Sequence, residues 1–148
     1  QVNDQMPLRA FDIIRDNING DLPNKEVLVL GVSYLNDVGD TRYTPVELLC
    51  RKLLRSETNL SLHDPYLNYW EELERPIETE FEKMLDRDYD MVVVSTAHSV
   101  YRSNDKLLDY ITSRKNLFVL DCWGVFSAEE LTLIKENNNI KVQGRGAI

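Results

Sequence analysis

KEVLVLGVSYLNDVGDTRYTPVELLCRKLLRSETNLSLHDP, residues 25–65, carries two periods of hydrophobicity in one stretch. Its ends, KEVLVLG (25–31) and NLSLHDP (59–65), are short apolar runs bounded by Asp, Asn, Gly or Pro, the pattern of buried parallel strands. Between them, PVELLCRKLLRSE (45–57) places Val46, Leu49, Cys50, Leu53 and Leu54 at helical spacing. Thr44 before Pro45 marks the helix start, because a hydroxyl can cap the first turn and proline fits the first helical position. The loop in between, GVSYLNDVGDTRYTP (31–45), stands where a phosphate-gripping glycine loop would sit. It lacks the second and third glycines of G-x-G-x-x-G and carries aspartates and a single arginine instead.

The same alternation runs on to the end of the chain. DMVVVST (90–96), NLFVLDC (116–122) and, more weakly, IKVQGRG (140–146) read as strands. IETEFEKMLDRD (77–88), NDKLLDYITSR (104–114) and SAEELTLIKENN (127–138) read as amphipathic helices, the last opened by a Ser127/Glu130 capping box. Strands joined by helices need right-handed crossovers, and these give a parallel sheet covered on both faces. The fold predicted is α/β, a doubly wound, mostly parallel, Rossmann-like sheet of five to six strands. In front stands a helix at 2–19, with Val2, Met6, Phe11, Ile14 and Ile18 on one stripe. It has no crossover to make, so the stripe is expected to pack on a partner chain or an upstream domain. The chain opens at Gln1 within that helix and is expected to be a piece of a longer protein.

Composition narrows the functions. A length of 148 residues is one domain's worth, and 43% hydrophobic with 28% charged residues is ordinary for a globular protein. No run approaches the roughly 18 apolar residues of a membrane span, and QVNDQMPLRA lacks the basic and apolar regions of a signal peptide. A net charge of -8 argues against a general nucleic-acid binder. Cys50 and Cys122 are far apart, which rules out a disulfide framework or a CxxC motif, and two histidines do not make a metal site. Cys50 is read as a buried thiol, and the expected compartment is the cytoplasm.

In open parallel sheets, ligands sit beyond the carboxyl ends of the strands. Four residues there have two readings each. Arg42, the only cation in the first loop, either offers its fork to phosphate oxygens or braces the loop through Asp37 or Asp40. Asp64 either meets a ribose hydroxyl or starts an Asp-Pro turn, the latter fitting a loop without the glycine fingerprint. His98 faces the crevice as a hydrogen-bonding loop residue rather than a catalyst, since no nucleophile and acid are identifiable around it. Trp123 either stacks on a base or ribose or closes the core.

GVSYLNDVGDTRYTPVELLCRKL, followed by a strand ending in HDPY, resembles the carboxyl-terminal domain of the UDP-glucose/GDP-mannose dehydrogenase family. VNDQMP at the start is similar to that family's long central helix, and VQGRG to its final strand. The resemblance implies a division into residues 1–20, part of an interdomain and dimerisation helix, and 21–148, a nucleotide-sugar-binding domain. It implies an NAD-dependent enzyme that oxidises the C6 alcohol of a nucleotide sugar to a carboxylate for polysaccharide precursor synthesis. NAD and the catalytic cysteine would belong to an upstream domain, so no catalytic residue is assigned here. Arg42 matches the arginine of the G-D-T-R box and is implied to reach NAD; Tyr34, Leu35 and Trp123 fall at substrate-binding positions. Leu35 stands where that family has lysine, and Trp123 and Gly124 where it has arginine and a neighbour, so two cationic contacts are missing. The alternative is therefore an interaction module derived from such a domain, without catalysis.

Overall fold

The side-chain alternation of five short strands explains how the sheet is buried on both sides. In a computed structural model that describes residues 5–143, the elements run α1 (Gln5–Asn17), β1 (Glu26–Leu30), α2 (Val46–Arg55), β2 (Asn59–His63), β3 (Tyr69–Trp70), β4 (Arg75–Pro76), α3 (Phe81–Met84), β5 (Met91–Val94), α4 (Asp105–Thr112), β6 (Phe118–Asp121), α5 (Ala128–Lys135) and β7 (Asn139–Val142). The main sheet is parallel throughout, in the order β2-β1-β5-β6-β7, and β3 pairs with β4 as a separate antiparallel ribbon. Val27, Val29, Met91, Val93, Phe118 and Leu120 point to one face, where they meet α1 and α2. Leu28, Leu30, Val92, Val94 and Val119 point to the other, under α3, α4 and α5.

Helix starts follow their local chemistry. Thr44 Oγ1 accepts from the Val46 N–H at 3.3 Å, and Pro45 already has helical angles of φ −67 and ψ −17. The Ser127/Glu130 capping box is formed, with Oγ accepting from Glu130 N and Oε1 from Ser127 N. Asn104 caps α4 by accepting from Leu107 N.

Two expectations are corrected. The helix read over 77–88 shrinks to the single turn of α3, because the backbone before it is used by the sheet: Glu78 N donates to the Leu62 carbonyl and Asp64 N to the Glu78 carbonyl. The described part of the α1 stripe finds its cover inside the domain. Only α2 crosses over on the first face, which leaves the β5–β6 side bare, and α1 covers it with Ala10, Phe11 and Ile14 buried in that core. Val2, the side chain of Met6 and residues 144–146 of the final predicted strand lie outside what the structure describes.

The order β2-β1-β5 reverses direction at β1. The loop after β1 turns to one face and the loop after β5 to the other, which opens a crevice between their ends.

Candidate functional site

The crevice begins at Gly31, whose φ of +93° suits glycine. A Cβ there would lie 2.5 Å from the Thr96 Cβ and 2.9 Å from its backbone nitrogen, so glycine lets the first loop cross the end of β5. The chain beyond is held by Asp64, which is buried at the end of β2. Asp64 Oδ2 accepts from Val32 N (2.9 Å), Ser33 N (3.2 Å), Ser33 Oγ (3.0 Å) and His98 Nε2 (2.9 Å), and Oδ1 accepts from Tyr66 N (3.0 Å). Burial pushes this carboxyl up, but the bonds from His98, Val32 and Tyr66 outweigh it and hold the group below the usual carboxylate range. The turn reading of Asp64 is met by the Tyr66 bond; its larger part is to tie two loops together.

His98 is not open to the crevice as expected. It is fully buried, and its Nδ1 accepts from Asp37 N at 2.7 Å, which assigns the proton to Nε2 and directs it at Asp64. Asp37, in the left-handed region at φ 59°, accepts from Ser99 N (2.7 Å) and Ser99 Oγ (2.6 Å), and these bonds lower its carboxyl below the usual range. Tyr34 N donates to the Asp40 carbonyl at 2.9 Å and closes the loop. The loop between β1 and α2 is thus fixed to the segment after β5 by its own aspartates.

Asp121, buried at the end of β6, does the same for the opposite wall. Its Oδ1 accepts from the backbone of Trp123, Gly124 and Val125, and Oδ2 from Phe126. Trp123 then donates from Nε1 to the Ser95 carbonyl at 2.9 Å, which fixes the indole while leaving 40% of the residue exposed.

Between these walls lies a cleft of about 290 Å³, lined among others by Tyr34, Leu35, Asn36, Thr96, Arg102 and Trp123. The structure therefore brings together Tyr34, Leu35 and Trp123 from distant parts of the sequence. Leu35 is 56% exposed and turns an apolar surface to the cleft. Arg42 does not line it. Its side chain is 76% exposed and grips Asp40 with two parallel bonds, Nε to Oδ1 at 3.0 Å and Nη2 to Oδ2 at 2.9 Å. That pairing lowers the Asp40 carboxyl to about 2. Arg42 is at once a loop brace and an outward-facing cation. Arg102, which the sequence reading passed over, is the cation that lines the cleft. Its only signal in the sequence is a position four residues after His98.

Cys50 and Cys122 are both buried, and burial pushes their thiols far up, so neither is a nucleophile. Among the described residues, no cluster of His, Cys, Asp and Glu could hold a metal ion, and no helix is long and apolar enough to cross a membrane.

A turn after β1 without the G-x-G-x-x-G pattern, a β1–β5 crevice and a Trp-walled cleft go with a match over residues 28–128 to the UDP-glucose/GDP-mannose dehydrogenase family, UDP binding domain. The chain belongs to this family. UDP-N-acetyl-D-mannosamine dehydrogenase of Methanococcus aeolicus is 29% identical over 123 residues, which is 81% of this chain and 27% of that protein. UDP-glucose 6-dehydrogenase 3 of Arabidopsis thaliana is 26% identical over 140 residues, 93% of this chain and 28% of that protein. The crystal structure of NDP-N-acetyl-D-galactosaminuronic acid dehydrogenase from Methanosarcina mazei Go1 superposes with a TM-score of 0.78 at 26% identity, covering 97% of this chain and 30% of the other. The chain thus spans under a third of the length of these UDP-glucose/GDP-mannose dehydrogenase family relatives, and corresponds to their UDP-binding domain.

Proposed function

We propose that this chain is the nucleotide-sugar-binding domain of an NAD-dependent UDP-sugar 6-dehydrogenase, which oxidises the C6 alcohol to a carboxylate. The observation that carries this is the cleft at the β1–β5 switch point, walled by Tyr34, Leu35 and Trp123 within the segment matched to a UDP-binding domain. NAD, when bound, supplies the oxidant. The described residues offer it no cradle: the loop after β1 has its single crossing glycine at Gly31 and no G-x-G-x-x-G. An upstream domain would hold NAD, and this chain would contribute Arg42.

The guanidinium of Arg42 spends one edge on Asp40 and keeps the rest of its donors exposed, which suits a contact with a pyrophosphate carried by a neighbouring domain. Tyr34, Leu35, Val38 and Tyr43, in the same loop as Arg42, are large and exposed and would be covered by such a domain. In the longer protein, Arg42→Ala is expected to raise the apparent Michaelis constant for NAD while leaving the melting temperature in place. An unchanged NAD dependence would leave Arg42 as a loop brace only.

The remaining parts of the reading concern the whole protein. Residues 1–20 would belong to a linker helix and 21–148 to the binding domain, in a cytoplasmic enzyme of polysaccharide precursor synthesis. A homodimer through the N-terminal helix would have to use the outer side of α1, where Leu8 is exposed, because Ala10, Phe11 and Ile14 are committed to the domain's own core. A non-catalytic binding module is the second reading, favoured by the apolar Leu35 at the cleft mouth. Finding a strand–G-x-G-x-x-G–helix and a nucleophile cysteine encoded upstream of Gln1 would support the enzyme; their absence would leave the module.

A further inference from the structure

Most polar side chains of the cleft are already spent on the protein itself. Ser33 Oγ donates to Asp64 Oδ2, Ser95 Oγ to the Gly31 carbonyl at 2.7 Å, Thr96 Oγ1 to the Ser33 carbonyl at 2.9 Å, and Trp123 Nε1 to the Ser95 carbonyl at 2.9 Å. Each of these groups has one proton to give, so none is left as a side-chain donor for a ligand. The uncommitted side-chain donors that line the cleft are the guanidinium of Arg102, the amide of Asn36 and the hydroxyl of Tyr34. No aspartate or glutamate is among the lining residues.

Arg102 differs from Arg42 in place and in pairing. Arg42 lies outside the cleft and gives one edge to Asp40, whereas Arg102 lines the cleft and forms no ion pair among the described residues. Its backbone is nonetheless held in place. It follows the single 3₁₀ turn Ser99–Tyr101, which is clamped at one end by Ser99 to Asp37 and at the other by the Tyr101 hydroxyl to His63 Nδ1 at 2.7 Å. A held backbone carrying an unpaired, exposed guanidinium at the cleft offers an anion contact.

We propose that Arg102, with the Asn36 amide as a second donor, holds the diphosphate of a nucleoside diphosphate in this cleft, while Leu35 and the Trp123 ring pack against its apolar parts. The assignment rests on the nucleotide-binding reading and adds to it the residue that carries the charge. It accounts for a cleft in which positions 35 and 123 are apolar: the cation enters from the segment after β5 instead.

The test uses the 148-residue chain with UDP and uridine as probes, the second lacking every phosphate. Arg102→Met keeps the stem and removes the charge; Arg102→Lys keeps the charge and removes the fork. Because Arg102 is exposed, both variants are expected to retain the wild-type amide spectrum. Calorimetric titration should show UDP weakened about 10- to 100-fold in Arg102→Met and less in Arg102→Lys, with uridine unchanged in both. Asn36→Ala should weaken UDP by a smaller factor. Equal UDP affinity in wild type and Arg102→Met would overturn the assignment while leaving the nucleotide reading standing, and so would an equal loss for uridine. A wild-type chain that binds no UDP would overturn the nucleotide reading and this assignment with it.

Discussion

Replacing Asp64 by alanine removes a buried carboxylate that accepts five hydrogen bonds. The Ser33 hydroxyl can rotate to a new partner, and Tyr66 N is only part-buried. Three donors cannot escape: Val32 N, Ser33 N and His98 Nε2. A buried donor left unmatched costs about 1–3 kcal/mol, so Asp64→Ala is expected to cost about 3–6 kcal/mol after partial relaxation. That is a large share of the roughly 5–15 kcal/mol by which a domain of this size is stable. Asp64→Asn keeps the shape and one acceptor, but turns an amide N–H toward Tyr66 N and loses the charge, and should cost about 1–3 kcal/mol. Urea denaturation followed by circular dichroism gives both values, with the slope unchanged. The pH dependence supplies an independent check. The Asp64 carboxyl is lowered in the folded state, so its contribution is fully present above the unfolded value of about 3.9 and is lost as the pH falls toward the folded one. The alanine variant should lack that acid-dependent part. A loss below about 1 kcal/mol in Asp64→Ala would refute the view that this carboxylate holds the two loops together.

Other consequences are as definite. Gly31→Ala combines a left-handed φ of +93° with a Cβ 2.5 Å from Thr96, and should lower stability by about 2–4 kcal/mol in the same denaturation assay. Burial lowers the His63 imidazole, so the folded state disfavours its proton; stability should decline as the pH falls through the unfolded value of about 6.5, and His63→Phe should flatten that decline in melts between pH 5 and 7. Cys50 and Cys122, buried with raised thiols, should resist a thiol reagent in the native chain and react once it is unfolded in denaturant.

The parts of the fold that could be read from sequence are those whose causes are local. The five strands announce themselves by short β-branched or leucine runs, α4 by its spacing, and α2 and α5 by their spacing and start signals, because each signal lies within a dozen residues. The failures are tertiary. Residues 77–80 have a helical pattern, but the free edge of β2 takes the backbone of Glu78. The cover for α1 lies within the domain, and sequence order does not show which face of the sheet lacks a crossover helix. At the site, the loop and its flanking positions 34, 35, 42 and 123 were visible as strand-end residues. Asp64 as a hub was not, since its loop partners lie 31 to 34 residues away, and His98 looked exposed until Asp37 and Asp64 were seen to enclose it. Arg102 sits eight residues past the end of β5, and only the 3₁₀ turn brings it back to the cleft.

Nitrogen-15-resolved NMR of the 148-residue chain during addition of UDP tests the central claim most directly. The predicted shifts gather at Tyr34, Leu35, Asn36, Ala97 and Arg102 and at the Trp123 indole, with the buried Trp70 indole unmoved. A spectrum unaltered at millimolar UDP would contradict the claim. So would shifts centred on the separate pocket of about 300 Å³ beside β2, which Arg75 and Arg87 line.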